Sequence, residues 1–339
     1  MDPVNQTAGP DLNFTDCPNI DDFRNRVYST SYSLVTVLGL AGNGFALVVL
    51  IKTSSRNISF HIYMMNLVVS DLLFAMMLPM RVLYYVNNGH WFLGSFLCRI
   101  SSYTLYVNLY SGIYFMTAMS VTRFLAIVYP VKNLTLVTDK RARLVSVAIW
   151  VFVCLSCSPF LMSGQDIDKA TNKTKCFEPP KQGSSLKKLV VLNYISLVAG
   201  FILPFLTILI CYAGIIRTLA SRHHAARRHR AAGVRAIRMI VIVMLAFLVS
   251  FTPYHVQRSV HLSFLARSDT SCPEKVLMQK SVVVTLCLAA ANSCFDPLLY
   301  FFSREGFRTR LNSIHNSMKG SRAQQGSPRL GQPQEAAPQ

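Results

Sequence analysis

Seven stretches of this chain are almost free of charge: Val27–Ile51, Asn57–Met80, Ile100–Thr122, Leu144–Gln165, Leu189–Ile216, Met239–Gln257 and Ser281–Ser303. Two of them carry one acid each, Asp71 and Asp296. About 20 apolar residues rising roughly 1.5 Å apiece cross the hydrocarbon core of a bilayer. Each stretch has that length, the sixth with help from its flanks. Lipid offers no partner to bare backbone groups, so the segments must be helices. Only 14% of all residues are charged, against roughly a quarter in soluble domains. The chain therefore reads as an all-α membrane protein, a seven-transmembrane helix bundle.

Charge placement orients it. With the N-terminus outside, the cytoplasmic segments hold 20 of the 34 lysines and arginines, and Asp139, Glu305 and Glu335 are their acids. That is the positive-inside pattern of a multi-pass protein, and the plasma membrane with an extracellular N-terminus is the expected location. The basic run "RHHAARRHR" at 222–230 reads as a solvated loop beside anionic lipid. Nucleic acid is excluded as a partner, because the run flanks membrane spans and lacks interleaved aromatics. The first 26 residues are polar and acidic. No cleavable leader is visible, so the first span is expected to serve as its own insertion signal. The sequons at Asn5, Asn13 and Asn172 fall on the outer side, where glycosylation occurs.

Cysteines divide by the same topology. Cys17, Cys98, Cys176 and Cys272 lie outside, where disulfides persist, and four thiols allow three pairings. The favoured one joins Cys98, at the top of the third helix, to Cys176 in the second outer loop. Cys17 and Cys272 would then tie the N-terminal tail to the third outer loop. The other five cysteines lie within spans and act as small apolar groups. No metal site is expected from them.

The expected organisation is an extracellular tail at 1–26, the bundle at 27–303, an amphipathic helix on the membrane surface at 304–319 and a disordered cytoplasmic tail at 320–339. Phe307, Leu311 and Ile314 carry the apolar spacing of the surface helix. The last 20 residues are rich in Gln, Pro, Gly and Ser. No internal repeat is visible, which argues against a transporter built from similar halves. Motifs of the types HExxH, GxxxxGK and GxSxG are absent, so an enzyme is not expected.

Polar residues inside spans are expensive and mark function. Asn43, Asp71, Asn292 and Asp296 form such a set, and the last two share a helix face at four-residue spacing. On their own they could equally be a hydrogen-bond cluster that holds helices together.

One motif per span decides between these. They are Gly42-Asn43, "NLVVSD" (66–71), Cys98 with Arg123 in "SVTRFLAIVYP" (120–130), Trp150, Pro204 with Tyr212, "FTPYH" (251–255) and "DPLLY" (296–300). In this order and spacing the chain resembles the rhodopsin-like G protein-coupled receptors across the whole bundle. The resemblance implies that Arg123 engages a heterotrimeric G protein. It also implies that Tyr212, Phe251, Pro253, Asp296, Pro297 and Tyr300 form the activation switch. Asp71, Asn108 and Asn292 would form a pocket for sodium or water, and no other cofactor is implied. Arrestin and receptor kinases are implied as further partners. The chain departs from most relatives at Thr122, where an acid usually precedes the arginine. It also departs at Phe251, Asp296 and Gly112.

The outer helix ends carry Arg81, Arg258, His261 and Lys280 among Tyr84, Tyr103, Tyr106, Tyr110 and Tyr254. Arginine forks match carboxylates and tyrosines combine apolar area with a hydroxyl, so the ligand should be an anion with apolar bulk. Leu105 stands where amine receptors place an aspartate, and Ala290 where opsins carry the retinal lysine. Longer stretches, among them "DDFRNRVYST" (21–30), "LYVNLYSGIYFMTAMS" (105–120) and "MQKSVVVTLCLAAANSCFDPLLYFFS" (278–303), resemble the cysteinyl leukotriene receptors, the type 1 branch most closely. That resemblance implies a twenty-carbon lipid carrying a thioether-linked peptide remnant, leukotriene D4 in particular. It implies Arg81, Tyr106, Tyr110, Tyr254 and Arg258 as the contact set, and a Gq-class G protein that drives phosphatidylinositol hydrolysis and calcium release. Cys157 departs from the type 1 pattern, which has serine there. A sister receptor for an anionic nucleotide or another lipid mediator is the alternative.

Overall fold

The structure is a computed structural model and describes residues 18–52, 58–162, 164–168, 172–177, 184–221, 227–265 and 271–303. Seven helical spans cross it: Asp21–Lys52, Ser59–Val86, Gly94–Val128, Asp139–Met162, Leu189–Ser221, Ala236–Leu265 and Cys272–Leu299. All seven expected segments are present. The surface helix expected at 304–319 and the tail at 320–339 lie outside the described residues, as do Asn5, Asn13 and Cys17.

Boundaries follow local capping. The first helix starts at Asp21, inside the tail expected to run to residue 26, because Asn19 Oδ1 accepts the Asp21 N–H at 2.8 Å. Asp21 and Asp22 in the first turn also complement the helix dipole. Thr138 caps the fourth span. Ser271 and Glu274 form a capping box at the seventh, with the Ser271 N–H donated to Glu274 at 3.1 Å. A hairpin that the sequence did not announce pairs Asp166–Asp168 with Lys173–Lys175. It sets acid opposite base at both ends, with Asn172 exposed at the turn.

The third span runs through the middle and packs on the second, fourth and fifth, while the first packs on the second and seventh. Polarity is inverted relative to a soluble protein. Asn43, Asp71, Ser111 and Asp296 are buried, whereas Leu34, Val37, Leu144 and Leu155 are exposed on the flanks, as lipid contact demands. Trp150 Nε1 donates to Asn66 Oδ1 at 2.8 Å and ties the fourth span to the second.

Prolines shape several of the helices, and in two cases another span satisfies the carbonyl that proline abandons. Pro297 has no N–H for the carbonyl of Ser293. Asn43 Nδ2 of the first span donates to that oxygen at 2.8 Å. Gly42 beside it leaves room, since a Cβ there would lie 3.1 Å from Pro297 Cγ. In the fifth span a π-turn at Val198–Ile202 precedes Pro204, and the carbonyl of Ala199 accepts the Tyr114 hydroxyl at 2.8 Å. The sixth span carries a second π-turn, Phe247–Phe251, before Pro253. Such turns recur at functional sites because they re-aim the side chains that follow.

Candidate functional site

Two arginines at one end of the bundle define the site. Arg81, near the end of the second span, is 3% exposed. Its Nη2 donates to the carbonyl of Ser101 at 3.1 Å, and its guanidinium lies 4.0 Å from the centre of the Phe177 ring. Its Nε has no partner. Phe177 is held there because the preceding Cys176 is bonded to Cys98, the favoured pairing. Cys272 is also disulfide-bonded; its expected partner Cys17 is not among the described residues. Tyr28, Tyr32, Tyr84, Tyr85 and Trp91 are buried in the same cluster, with Tyr28 and Tyr85 rings 4.5 Å apart.

Arg258, half-buried on the sixth span, donates through Nη1 to the hydroxyls of Tyr106 at 2.9 Å and Tyr254 at 3.0 Å. Tyr106 is stacked on Phe160 at 3.6 Å, so the third, fourth and sixth spans meet at this cation. Neither arginine pairs with a carboxylate among the described residues. An unpaired cation removed from water is costly, and an incoming anion relieves that cost. Tyr110 is buried one turn below Tyr106, and its ring fills the space beside Gly200, where a Cβ would meet it at 2.6 Å. Tyr103 instead donates to the Cys154 carbonyl at 3.2 Å. Lys280 sits over Phe23 at 5.4 Å, and His261 is half-buried.

Sequence patterns missed Phe160, Phe177, Tyr28, Tyr32 and Tyr85. Signals existed for two sets: Phe177 follows a disulfide cysteine, and Tyr28 and Tyr32 have helical spacing. Phe160 gave none.

Below the arginines a cavity of about 10 Å³, room for about one water, is lined by Tyr106, Asn108, Tyr254, Leu286 and Ala289 among others. Asn108 in its lining also belongs to the polar core. Asn108 Nδ2 donates to Asp71 Oδ1 at 2.8 Å, and Ser70 meets Ser111 at 2.6 Å. Asn292 Nδ2 donates to Asp296 Oδ2 at 3.0 Å. Asp71 and Asp296 are both buried, and through its bond to Asn292 Asp296 joins the three residues expected for this pocket. A Cβ at Gly112 would lie 3.4 Å from Asn292 Nδ2, so the glycine leaves room that a larger side chain would take.

At the opposite end, Arg123 lies over the Phe60 ring at 4.5 Å. Thr122 turns its hydroxyl onto its own helix, to the Met119 carbonyl at 2.8 Å, and so offers Arg123 no acid. Tyr212 meets Ser120 at 2.8 Å. Phe251 is fully buried with its ring edge-on to Phe247 at 5.2 Å. The side chain of Tyr300 lies outside what the structure describes.

The model of the rhodopsin family of seven-transmembrane receptors matches residues 42–300. The chain is 54% identical over 310 residues to cysteinyl leukotriene receptor 1 of Cavia porcellus, covering 91% of this chain and 90% of that protein. It is 54% identical over 295 residues to cysteinyl leukotriene receptor 1 of Homo sapiens, covering 87% of each. Against cysteinyl leukotriene receptor 2 of Mus musculus the identity is 39% over 299 residues, covering 88% of this chain and 94% of that one.

Proposed function

The chain belongs to the rhodopsin family of seven-transmembrane receptors, and from that premise we propose that it is a plasma-membrane receptor for cysteinyl leukotrienes, leukotriene D4 foremost. The observation that carries this is the pair of arginines that meet no carboxylate among the described residues, set among tyrosines at one end of the bundle. The relatives' names supply the ligand class, and the arginines match its acid groups. The ligand's carboxylates pair with Arg81 and Arg258, and its tail packs on Tyr106, Tyr110 and Tyr254.

Binding breaks the bonds from Arg258 to the two tyrosines. Their rings line the cavity above Asn108, so the change reaches the Asp71–Asp296 core. Rearrangement there lets the sixth span bend at its π-turn and Pro253, which opens the Arg123 end to a Gq-class G protein. Arrestin and receptor kinases would act on the same open state.

A sodium ion in the polar core belongs to the same proposal. Asp71 Oδ2, Asp296 Oδ1 and Asn292 Oδ1 are buried acceptors without a hydrogen-bond partner, which suits a cation. Asp71 and Asn292, supported by Asn108 and joined by Asp296, would hold it, and it would supply neutralising charge in the resting state. Sodium should then lower agonist affinity in the parent and not in Asp71→Asn.

The test is calcium imaging in cells that otherwise ignore leukotrienes. Leukotriene D4 should raise calcium through this chain, and uracil nucleotides should not. Silence from well-folded surface protein, or a response to nucleotides alone, rejects the ligand assignment.

A further inference from the structure

A second polar recess lies beside the site, where the first span begins and the second ends. Asp22, Asn25, Arg26, Ser29, Tyr85 and Asn88 line it, around about 250 Å³ of space. Asn25 is 7% exposed, and its Oδ1 has no hydrogen-bond partner. A buried acceptor left unmade is costly, so this oxygen calls for a donor from the recess it lines. Asp22 and Arg26 are exposed and four residues apart, acid first, the order that favours an ion pair along a helix. They do not form it; Arg24 takes Asp21 instead, at 2.7 Å. Neither Asp22 nor Arg26 pairs with any described residue. One recess thus presents a free anion, a free cation and a buried acceptor in need of an N–H.

We propose that this recess binds a zwitterion with a primary ammonium next to an acid group. The ammonium bridges Asp22 and Asn25 Oδ1, and the acid group meets Arg26. A quaternary ammonium has no N–H to give Asn25, so choline headgroups are rejected while ethanolamine headgroups and amino-acid termini fit. The same chemistry has two sources: an ethanolamine phospholipid of the surrounding leaflet, or a free amino acid or short peptide. Tyr85 forms one wall and packs tilted against the Tyr28 ring at 4.5 Å, so the recess shares an aromatic partition with the cluster around Arg81. None of the three binding groups belongs to that cluster, and the inference stands whether or not the ligand assignment above does.

The test uses the purified full chain, stripped of lipid in detergent and studied by native mass spectrometry. It is titrated with dioleoyl phosphatidylethanolamine, with the matching phosphatidylcholine, and with glycylglycine. A saturable preference of about tenfold for an ammonium-bearing probe over phosphatidylcholine is expected. That preference should vanish in the double variant Asp22→Asn/Arg26→Gln, whose exposed positions leave the thermal midpoint unchanged. Binding of phosphatidylethanolamine alone assigns the lipid source; competition by glycylglycine assigns the soluble one. Equal binding of the two lipids with no binding of glycylglycine overturns the proposal, as does a preference that survives the double variant.

Discussion

Replacing Arg81 with methionine separates binding from folding more cleanly than any other change at the site. The side chain is 3% exposed, makes one hydrogen bond to Ser101, stacks on Phe177 and meets no carboxylate among the described residues. Its removal forfeits a charged hydrogen bond worth about 1.5–3 kcal/mol and a desolvated ring contact worth about 2 kcal/mol. Against this, the charge no longer has to be taken out of water, a penalty of several kcal/mol per ion. Methionine also fills the vacated volume flexibly. The two sides cancel to within a few kcal/mol, so the thermal midpoint of the ligand-free receptor should stay level or rise.

Agonist affinity should behave differently. A charge partner lost from a desolvated contact costs about 2–5 kcal/mol, or about 30-fold to several thousand-fold in Kd. The assay pairs radioligand binding with a thermal shift on the same nanodisc preparation. Arg81→Lys is the control: it keeps the charge and loses the fork, and should fall between parent and methionine. Unchanged affinity in Arg81→Met would refute the anion-site argument. A loss of affinity matched by a large fall in thermal midpoint would refute it too, since Arg81 would then be structural.

Other outcomes follow from the packing. Asn43→Ala should destabilise the parent by about 1–3 kcal/mol but cost less in a Pro297→Ala background, where a backbone N–H can reach the Ser293 carbonyl; a thermal double-mutant cycle with zero coupling would contradict this. Gly200→Ala puts a Cβ 2.6 Å from the Tyr110 ring, so agonist affinity should drop by about tenfold or more, and the same substitution should cost less in a Tyr110→Ala background. Thr122→Asp places an acid next to Arg123 in the chain, and agonist-free nucleotide exchange on the G protein should fall.

The spans were legible because lipid allows a simple code: charge-free length and basic flanks. The start of the first helix was not, because Asp21 and Asp22 look like tail composition, and only the Asn19 cap shows that the helix has begun. The hairpin at Asp166–Asp168 and Lys173–Lys175 is three residues a strand, too short for periodicity to reveal. Arg81, Tyr106, Tyr110, Tyr254 and Arg258 were found by type and depth along their helices. Their supports were not, since the stacking of Phe160 on Tyr106 joins residues 54 apart through the path of two helices. Asp296 was placed in the switch from its motif; its burial in the polar core needs the helices in place.

Asn43 and Tyr114 show why the polar groups of the core are best understood together with the prolines. A proline in a span leaves a carbonyl unserved, and in lipid that oxygen has no water to turn to. A donor from another span answers it in both cases, at 2.8 Å. Each bend is thereby locked by a bond between helices rather than by the helix itself. Such a bond can be exchanged for another donor or for water when the helices shift, whereas a regular helical hydrogen bond would have to break within its own turn. The costly residues thus stabilise the bends in one arrangement without forbidding a second, which is the property a two-state bundle requires.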